Sequence, residues 1–542
     1  MPKISLDKKR VLELVGKKIS DETLHKEIPF MGTDLEEITK EKIEVEIFPD
    51  RPDLLSEEGF ARYLSSFLGV KKGLRNYKVK KSDYEVIVEN SVKKVRPFTV
   101  CAVAKNLSLD NKKLDSLIEM QEKLHITHGR RRKKVAIGVY PLDKISFPIK
   151  YKALSPDKIF FKPLDSDKKL SGKEIINKTD KGKEFKHLLK GFNKYPVFID
   201  NKNNFLSMPP VINSEDVGKV NTSTKEVFIE CSGTDLKALE QALNIVVTNL
   251  ADTGAEIYEV KVSYEDKNLL TPNLKNKELK VNIDWINKWL GLSLNQKEFK
   301  ESIEKCGLNY EKGKVHIPPY RVDFLHPVDV AEDVAKGYKY YNFKGETVNL
   351  HTVGSEDKLE ILKNKIREII IGLGFIENYS LNLISGDLQK KLGSKKTVHL
   401  LNSISETHDT MREHVIYSLL INAEFNKKNV YPQKMFEVGT RYVNEKNGVV
   451  EKESLACLMV GDFTVTNALQ ILEVFKKSFG INLELVEKDH PLFISGRSGY
   501  VLYKKKIVGF LGELKPEFIH ELEIEFPICG LELDIGFLLE DF

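Results

Sequence analysis

Alternating and helical hydrophobic patterns predict strands and helices from the first part of the chain onward. Residues 43–47 alternate apolar and polar side chains, as a half-buried strand does. A proline-containing turn follows, and Ser56 then suits a helix N-cap. Beyond it, Phe60, Leu64 and Phe67 recur at helical spacing and form an apolar stripe. The pattern predicts a strand–turn–helix unit in the first domain.

The region from about residue 85 to residue 262 has the pattern of a single α/β unit. Apolar positions at helical spacing predict one long helix over 236–253. Short apolar runs bounded by turn residues predict its strands. These runs are 84–88, 98–104, 135–139, 197–200, 227–231 and 255–262.

Two further units follow in the sequence. A small helix–strand unit is predicted from a strand at 279–283, helices at 283–290 and 296–306, and a strand at 315–317. Beyond it, Ser355 suits the cap of a helix that carries a broad apolar face and ends at Gly374. A later helix is predicted at about 413–425. We therefore predict an α+β chain with domains at 1–84, 85–264, 268–346 and 350–542.

Composition supports this multidomain interpretation and excludes some classes of protein. The 542 residues are 41% hydrophobic and 30% charged, with a net charge of +5, as in a soluble globular protein with several cores. No run of 18 apolar residues is present, so no membrane span is expected. The five cysteines are scattered without a Cys-x-x-Cys pair, which indicates reduced thiols and a cytoplasmic protein.

Four carboxylates form the strongest candidate metal site. A helix is predicted to begin near Pro327, and within it three carboxylates fall at i, i+3 and i+4 on one face. A fourth lies at the end of the preceding extended segment, so the four can converge on a hard cation such as Mg²⁺. The alternative is a solvated acidic first turn. The four residues are Asp323, Asp329, Glu332 and Asp333.

The opposite face of the same helix is apolar and is expected to pack inward. Val330, Val334, Tyr338 and Tyr341 follow helical spacing there. This face would hold the helix in place while the carboxylate face stays available to a ligand.

Two loops carry other candidate chemistry. Arg130, Arg131, Arg132 and Lys133 begin a run of five cations before a strand and could bind the phosphates of RNA, although a solvated basic loop is the more common meaning of such a run. The segment 206–224 joins an apolar turn to amides, hydroxyls and carboxylates, which could read a small polar ligand or simply serve turns and caps.

The motifs together resemble one known family. The segment from Pro319 through Arg321 and Asp323 to Gly337-Tyr338 is similar to the magnesium-site domain of phenylalanine–tRNA ligase beta subunits. The run that begins at Arg51-Pro52-Asp53 resembles the first domain of the same subunits. The basic run at 129–134, followed by the Met-Pro-Pro segment at 208–214, resembles the editing domain of archaeal and eukaryotic-cytosolic members. The resemblance covers nearly the whole chain.

The resemblance implies an activity for the α/β domain and a role for the four carboxylates. The editing domain of the family hydrolyses tyrosine wrongly attached to the phenylalanine tRNA, and the carboxylates are Mg²⁺ ligands that face the alpha subunit. A pocket that binds the tyrosine hydroxyl discriminates better than an apolar slot. No Ser–His–Asp order is evident, so a positioned water and the terminal hydroxyl of the tRNA are expected to act. The pocket candidates are Leu206, Ser214, Glu215, Asn221, Thr222, Thr234 and Asp235.

The last 190 residues resemble the catalytic core of a class II tRNA ligase, but without its cations. Met435 stands where a functional core has an arginine two residues before Glu437, and the final motif has no arginine. Charge that builds up on phosphates during adenylation would then have no stabiliser. The resemblance implies a silent core that pairs with an active alpha subunit, which holds ATP and phenylalanine, in a complex of two alpha and two beta chains.

Two classes of function follow. The favoured interpretation is a beta subunit that supports phenylalanine attachment to tRNA and hydrolyses mischarged tyrosyl-tRNA. The other is a non-enzymatic RNA-binding or assembly protein built from the same domains. Clearance of tyrosine from mischarged tRNA distinguishes them.

Overall fold

The structure is a computed structural model that describes residues 2–540, and the chain divides into two compact units, Met1–Thr347 and Val348–Phe542. Met1, Asp541 and Phe542, which belong to the predicted outer domains, lie outside the described residues. None of the described helices is long and apolar enough to cross a membrane. All five cysteines are free and buried.

The first unit begins with a three-stranded antiparallel sheet in the order β1-β3-β2. Ser56 accepts a hydrogen bond from the Gly59 amide and caps the third helix, as the sequence predicted. That helix is buried along almost its whole length because it lies in a core shared with the next domain. The elements are β1 (Lys3–Asp7), α1 (Lys8–Val15), α2 (Asp21–Glu27), β2 (Asp34–Ile38), β3 (Lys42–Glu46) and α3 (Glu57–Phe67).

A large mixed sheet forms the centre of the first unit. Its elements are β4 (Val79–Lys80), β5 (Glu85–Val88), β6 (Phe98–Lys105), α4 (Asn111–Ile126), β7 (Val135–Pro141), β8 (Ile149–Leu154), β9 (Phe160–Phe161), β10 (Leu170–Ser171), α5 (Gly172–Lys178), α6 (Asp180–Phe185), β11 (Tyr195–Ile199), β12 (Phe205–Met208), β13 (Ile212–Asn213), α7 (Glu215–Gly218), β14 (Val227–Gly233), α8 (Leu236–Asp252), β15 (Glu256–Ser263) and β16 (Asn268–Thr271).

The strand order of this sheet places its two ends close together. The order is β13-β12-β11-β8-β5-β15-β6-β14-β7, with β4 and β16 also paired to β15, and β9 and β10 form a separate small pair. The Tyr140 hydroxyl of β7, at one end, lies 2.8 Å from Ser207 Oγ of β12, near the other end. The sheet therefore curves until its end strands nearly meet. Helices α4 and α8 share one core with the same strands.

A small helix–strand domain completes the first unit. Its sheet has the order β17-β19-β18, and its helices bury Ile286, Phe299, Ile303, Val330 and Val334. The elements are β17 (Lys277–Lys280), α9 (Ile283–Leu290), α10 (Gln296–Lys305), β18 (Asn309–Glu311), β19 (Lys314–Ile317) and α11 (Pro327–Tyr338).

The second unit is built on a seven-stranded, mainly antiparallel sheet in the order β20-β24-β25-β29-β28-β27-β26. One core joins α12 and α15 to this sheet, and another joins α14 to it. The elements are α12 (Lys358–Gly372), β20 (Ile376–Glu377), β21 (Leu383–Ile384), α13 (Gly386–Lys391), β22 (Val398–His399), β23 (Thr410–Met411), α14 (Val415–Phe425), β24 (Gln433–Glu445), β25 (Gly448–Val460), α15 (Val465–Phe479), β26 (Glu484–Glu487), β27 (Phe493–Tyr503), β28 (Lys506–Leu514), α16 (Pro516–Glu521) and β29 (Ile528–Asp534).

Two predicted details are wrong. The cap of α12 is Asp357, which accepts from the Leu359 amide, and not Ser355. Tyr341 does not pack inward with Val330 and Val334: 47% of it is exposed. The reason is that α11 ends at Tyr338 and Lys339 has a φ of 75°, so the helical spacing no longer applies beyond that point.

Candidate active site

A cleft of about 1130 Å³ lies where the two ends of the central sheet approach each other. One wall is α4 together with strand β7, and the other comes from β12, β13 and the loop between them. A segment from Leu164 to Lys181 contributes charged side chains to the lining. Three polar side chains of the sheet, Ser207, Asn213 and Glu230, also line the cleft, and we call them its base because Ser207 and Glu230 are buried. The cleft thus combines charged side chains with buried polar groups.

Tyr140 connects the three polar groups at the base. Its hydroxyl lies 2.8 Å from Ser207 Oγ, 3.2 Å from Glu230 Oε1 and 3.5 Å from Asn213 Oδ1. Ser207 and Asn213 are register partners on β12 and β13, so both point to the same face. This base can both donate and accept hydrogen bonds, which suits a ligand that carries a hydroxyl.

Glu230 is the unusual member of the group. It stands in the middle of β14, is only 2% exposed, and its Oε2 has no hydrogen-bond partner in the described part of the chain. Burial raises the pKa of Glu230 to about 8, against the positive charge of Arg96 and the Tyr140 hydroxyl. The carboxyl is therefore mostly neutral at pH 7 and can donate a hydrogen bond as well as accept one.

Gly138 makes room for this carboxyl. It is the register partner of Glu230 on β7, and a Cβ built there would lie 2.7 Å from Glu230 Oε1 and would also collide with the Tyr140 hydroxyl. A larger residue at 138 would displace both polar groups from the base of the cleft.

Helix α4 closes the open edge of β7 with side chains. The Ile137 amide donates to His125 Nε2 at 2.8 Å, and Gln121 Nε2 donates to the Ile137 carbonyl at 2.7 Å. Burial lowers the pKa of His125 to about 4, so the ring is neutral and remains an acceptor at physiological pH. Backbone groups of an end strand are thereby satisfied without another strand.

Arg132 joins the two walls of the cleft. Its Nη1 donates to the Val211 carbonyl at 3.0 Å and to the Pro210 carbonyl at 3.2 Å, and its Nη2 donates to Glu122 Oε1 at 2.7 Å. The side chain is buried and lies over the Phe185 ring. The prediction that Arg132 is free to contact RNA is therefore wrong, whereas Arg130, Arg131 and Lys133 are exposed.

The structure does not bring the seven predicted pocket residues together in this cleft. Leu206 and Ser214 are buried one position away from Ser207 and Asn213, because alternate residues of a strand face opposite ways. Asn221 accepts from the Ser223 amide and hydroxyl in an exposed turn that also holds Thr222.

The remaining three candidates serve local structure. Glu215 accepts from the Asp165 amide and from Lys219. Asp235 caps α8 and pairs with Lys134, and its neighbour Thr234 is exposed. Glu215 and Asp235 thus make turn and cap contacts, and a role of these residues in a pocket stays a prediction.

The four predicted metal ligands do not converge as a free cluster. Arg321, which is 1% exposed, donates from Nε and Nη2 to both oxygens of Asp323, and its Nη1 lies 2.9 Å from Asp333 Oδ2. Glu332 pairs with Lys336 at 2.7 Å. Among the described residues, the three-carboxylate group with ligand atoms close enough for one ion is elsewhere, at Asp34, Glu36 and Glu46.

Asp329 has a role of its own. Its Oδ2 accepts from the Leu325 and His326 amides at 2.6 and 2.7 Å, and it forms a capping box with His326 at the start of α11. The prediction of four convergent carboxylates is therefore wrong, because a buried arginine already neutralises two of them.

A second Arg-x-Asp segment repeats the arrangement around Arg321. Arg51 donates to both oxygens of Asp53 at 2.9 Å, and its guanidinium lies over the Tyr63 ring. Both arginines are almost completely buried. The two Arg-x-Asp segments thus share one arrangement, in which a buried arginine is bound to the aspartate two residues later.

In the second unit, Glu437 is buried and bound by Arg412. Arg412 Nη1 lies 2.6 Å from Glu437 Oε1 and also donates to Ser418, while its Nε donates to the Thr440 carbonyl. Met435, two residues before Glu437 on β24, is buried in an apolar core. The carboxylate is thus neutralised within the protein by an arginine from another segment.

Comparison with known proteins defines the class to which this fold belongs. The tRNA synthetase B5 domain family matches residues 279–340, and the phenylalanyl tRNA synthetase beta chain CLM domain family matches residues 347–535. The chain is thus built from aminoacyl-tRNA synthetase domains.

Full-length relatives give the particular family. The phenylalanine–tRNA ligase beta subunits of Pyrococcus abyssi and Methanocaldococcus jannaschii are each 36% identical, over 98% and 99% of this chain and 99% and 100% of their own lengths. A crystal structure of an N-terminal fragment of the Pyrococcus horikoshii subunit is 40% identical, with a TM-score of 0.60, over 62% of this chain and 99% of the fragment. The chain belongs to the phenylalanine–tRNA ligase beta subunit family, which confirms the resemblance drawn from its motifs.

The raised pKa of Glu230 has a consequence for stability. Between about pH 4.5 and about pH 8, the folded state holds a proton on Glu230 that the unfolded state releases, so stability falls as pH rises through this window. Glu230→Gln removes the effect. We expect the variant to melt at a higher temperature than the parent at pH 8 and at nearly the same temperature at pH 4.5. An equal difference at both pH values would contradict a buried, neutral carboxyl.

Proposed function

We propose that this chain is the beta subunit of a phenylalanine–tRNA ligase and that its cleft hydrolyses tyrosine attached by mistake to the phenylalanine tRNA. The observation that carries the proposal is the buried Glu230 carboxyl beside Tyr140, Ser207 and Asn213 at the base of a large cleft. The tyrosine side chain differs from phenylalanine by one hydroxyl, and this base offers that hydroxyl both a donor and an acceptor.

The preference for tyrosine over phenylalanine follows from the free-energy cost of leaving a buried polar group without a hydrogen-bond partner. A bound tyrosine hydroxyl can accept from the neutral Glu230 carboxyl and donate to Asn213 Oδ1 or Ser207 Oγ. A phenylalanine ring in the same place would leave Glu230 Oε2, which has no hydrogen-bond partner in the described part of the chain, still unpaired. The cleft therefore admits tyrosine in preference to phenylalanine.

Hydrolysis in this cleft needs a positioned water and not a protein nucleophile. Both nitrogens of His125 are engaged, one by the Ile137 amide and the other by Glu122 at 3.4 Å, so the ring is not available as a base for Ser207. Cysteines are absent from the described lining. The terminal hydroxyl of the tRNA, adjacent to the ester, is the group best placed to orient the attacking water.

The test is clearance of tyrosine from mischarged tRNA by the purified full chain. The chain should hydrolyse the tyrosyl ester and spare the phenylalanyl ester. A chain that binds tRNA but hydrolyses neither ester would be the non-enzymatic RNA-binding or assembly protein, and the proposal would fall.

The second unit supports a silent core that pairs with an alpha subunit. Arg412 is bound to Glu437, and Met435, which stands where a functional class II core has an arginine, contributes no charge. An exposed apolar patch lies at the outer edge of the sheet, where Ile376, Tyr379 and Leu381 are 71%, 100% and 68% exposed. We propose that this patch contacts the alpha subunit, which holds ATP and phenylalanine, within a complex of two alpha and two beta chains in the cytoplasm.

The isolated chain is expected not to form phenylalanyl-adenylate. The reason is that Arg412 is buried and bound to Glu437, and that Met435 supplies no charge to stabilise the phosphates. Phenylalanine-dependent pyrophosphate exchange measures this directly, with the complex that includes the alpha subunit as the positive control. Exchange by the chain alone at the rate of the complex would overturn the silent-core proposal.

Magnesium is best assigned to two of the four carboxylates. Asp323 and Asp333 are held by Arg321, which leaves Asp329 and the exposed Glu332 on one side of α11. Magnesium usually keeps several waters and needs only one or two protein carboxylates. We propose that Asp329 and Glu332 hold a hydrated Mg²⁺ that bridges to the alpha subunit.

The double variant Asp329→Asn/Glu332→Gln is expected to weaken both Mg²⁺ binding and subunit pairing. Calorimetric titration measures the first and sizing of the complex measures the second. Asp284→Asn/Glu301→Gln removes the same charge from exposed positions of the same domain and serves as control. Unchanged Mg²⁺ affinity in the first variant would mean that the carboxylates of α11 form only a solvated acidic turn and bind no ion.

A further inference from the structure

A second, separate groove of about 930 Å³ lies on the first unit beside the end of α4 and the start of α8. Its described lining carries five cations against one carboxylate, Asp235. The cations are Lys3, Lys123, Arg130, Lys134 and Lys237. A groove with this balance attracts a polyanion.

Several cations in or next to the groove have no carboxylate partner among the described residues. Lys134 is paired with Asp235 at 2.9 Å and Lys3 with Glu36 at 2.7 Å. By contrast, Arg130 and Lys237 have no carboxylate partner among residues 2–540, and the same holds for the exposed Arg131 and Lys133 next to the groove. Unpaired, exposed cations beside a groove are available to phosphate groups.

The backbone that presents these cations is strained. Arg130, Arg131 and Arg132 have φ values of 48°, 51° and 63°, so three consecutive non-glycine residues adopt the left-handed conformation. Such a conformation persists only where the surroundings hold it, and it concentrates at functional sites.

Two buried arginines hold the turn from the side of the cleft. Arg132 is bound to the carbonyls of Pro210 and Val211, and Arg96 Nη1 donates to the Lys133 carbonyl at 3.4 Å. Arg96 also binds the Ser232 carbonyl, two residues from Glu230. The turn thus has one anchored side chain in the cleft and three free cations on the outside.

The turn connects the groove with the cleft. Arg130 lines the groove and Arg132 lines the cleft, and two residues of chain span at most about 7 Å. We propose that the groove and the turn bind the phosphodiester backbone of an RNA strand whose 3′ end enters the cleft. The direction of the strand rests on the proposed function, whereas phosphate binding in the groove does not.

The binding test uses the full chain and a fluorescent RNA hairpin with a four-nucleotide single-stranded 3′ end and no amino acid. Arg130→Gln/Arg131→Gln/Lys133→Gln should weaken binding at least about tenfold and lower the slope of log affinity against log salt by about 2 to 3. Lys186→Gln/Lys190→Gln/Lys194→Gln removes the same charge from exposed positions outside the groove and the cleft. Parental affinity and slope in the first variant, or equal losses in both, would overturn the proposal. Binding of an acidic protein in place of RNA would overturn it as well.

The connection to the cleft has its own readout. With tyrosyl-tRNA, the triple variant should raise KM at unchanged kcat, because only the remote phosphates lose contacts. With tyrosyl-adenosine, which has no upstream phosphate, the variant should match the parent. Failure of the parent to hydrolyse either ester would count against the proposed function alone, since hairpin binding is measured without an ester. A variant slowed equally on both esters would refute the proposed strand path.

Discussion

Replacing Glu230 by alanine is expected to lower kcat/KM for hydrolysis of the tyrosyl ester by about 10²- to 10³-fold, with little effect on phenylalanine charging by the complex. The size follows from removing a buried group that pairs with the substrate hydroxyl. Tyr140 keeps its contacts with Ser207 and Asn213 in this variant. Single-turnover hydrolysis of tyrosyl- and phenylalanyl-tRNA by the full chain gives the two rates.

The control for this variant is Glu226→Ala. Glu226 lies just before the same strand, lies 3.7 Å from Lys105 and is partly exposed, so the variant shortens the same side chain by the same atoms without touching the cleft. Tyrosyl-ester hydrolysis at the parental rate in Glu230→Ala would show that the cleft does not recognise the hydroxyl through this carboxyl.

Replacing Arg321 by methionine is expected to destabilise the first unit by about 3 to 5 kcal/mol, since it leaves the buried Asp333 and the partly buried Asp323 without their cation. Burial alone would raise the pKa of Asp323, but the charge and hydrogen bonds of Arg321 outweigh burial and bring the pKa to about 2. Without Arg321, Asp323 and Asp333 would lie together in a poorly solvated space. The melting temperature of the unit measures the loss, which should reach roughly 5 to 10 °C.

Lys288→Met is the matched control, because Lys288 is an exposed cation in the same domain without a carboxylate partner among the described residues. It should melt within about 1 °C of the parent. A small shift in melting temperature for Arg321→Met would contradict this prediction. It would mean that water or bound ions can solvate the two aspartates in the absence of the arginine.

Local signals in the sequence were enough to place many elements. The helix over Ile283–Leu290 and the N-terminus of the helix at Gln296 were predicted correctly because an asparagine caps each and a glycine follows the first. Apolar runs located six of the eleven strands of the central sheet to within two residues, whereas β4, β8, β12, β13 and β16 were not assigned. The helix Asn111–Ile126 was not assigned, although Leu117, Met120 and Leu124 have helical spacing and are buried.

The site was harder to predict, because it forms between segments far apart in the chain. Tyr140 and Glu230 lie on neighbouring strands, but Ser207 meets them only because the sheet curves until its ends approach. No local pattern encodes that curvature. The segment at 206–224 contributes residues to the cleft, yet Leu206 and Ser214 are each one position away from the residues that line it. Glu215, Asn221 and Thr222 do not line it either. A detectable signal did exist: Glu230 is a lone charge in the middle of a buried strand, which is rare without a function or a partner.

The hydrogen bonds between α4 and the edge of β7 bear on how often the cleft opens. The Ile137 amide is held by a side chain, His125, and not by a neighbouring strand, so its protection from solvent exchange depends on α4 remaining docked. If α4 moved away from β7, the cleft would widen and the edge of β7 would become exposed and able to pair with another chain. The hydrogen-exchange rate of the Ile137 amide therefore reports how often α4 moves away from β7. The same motion determines how often the edge of β7 is accessible for pairing with another chain.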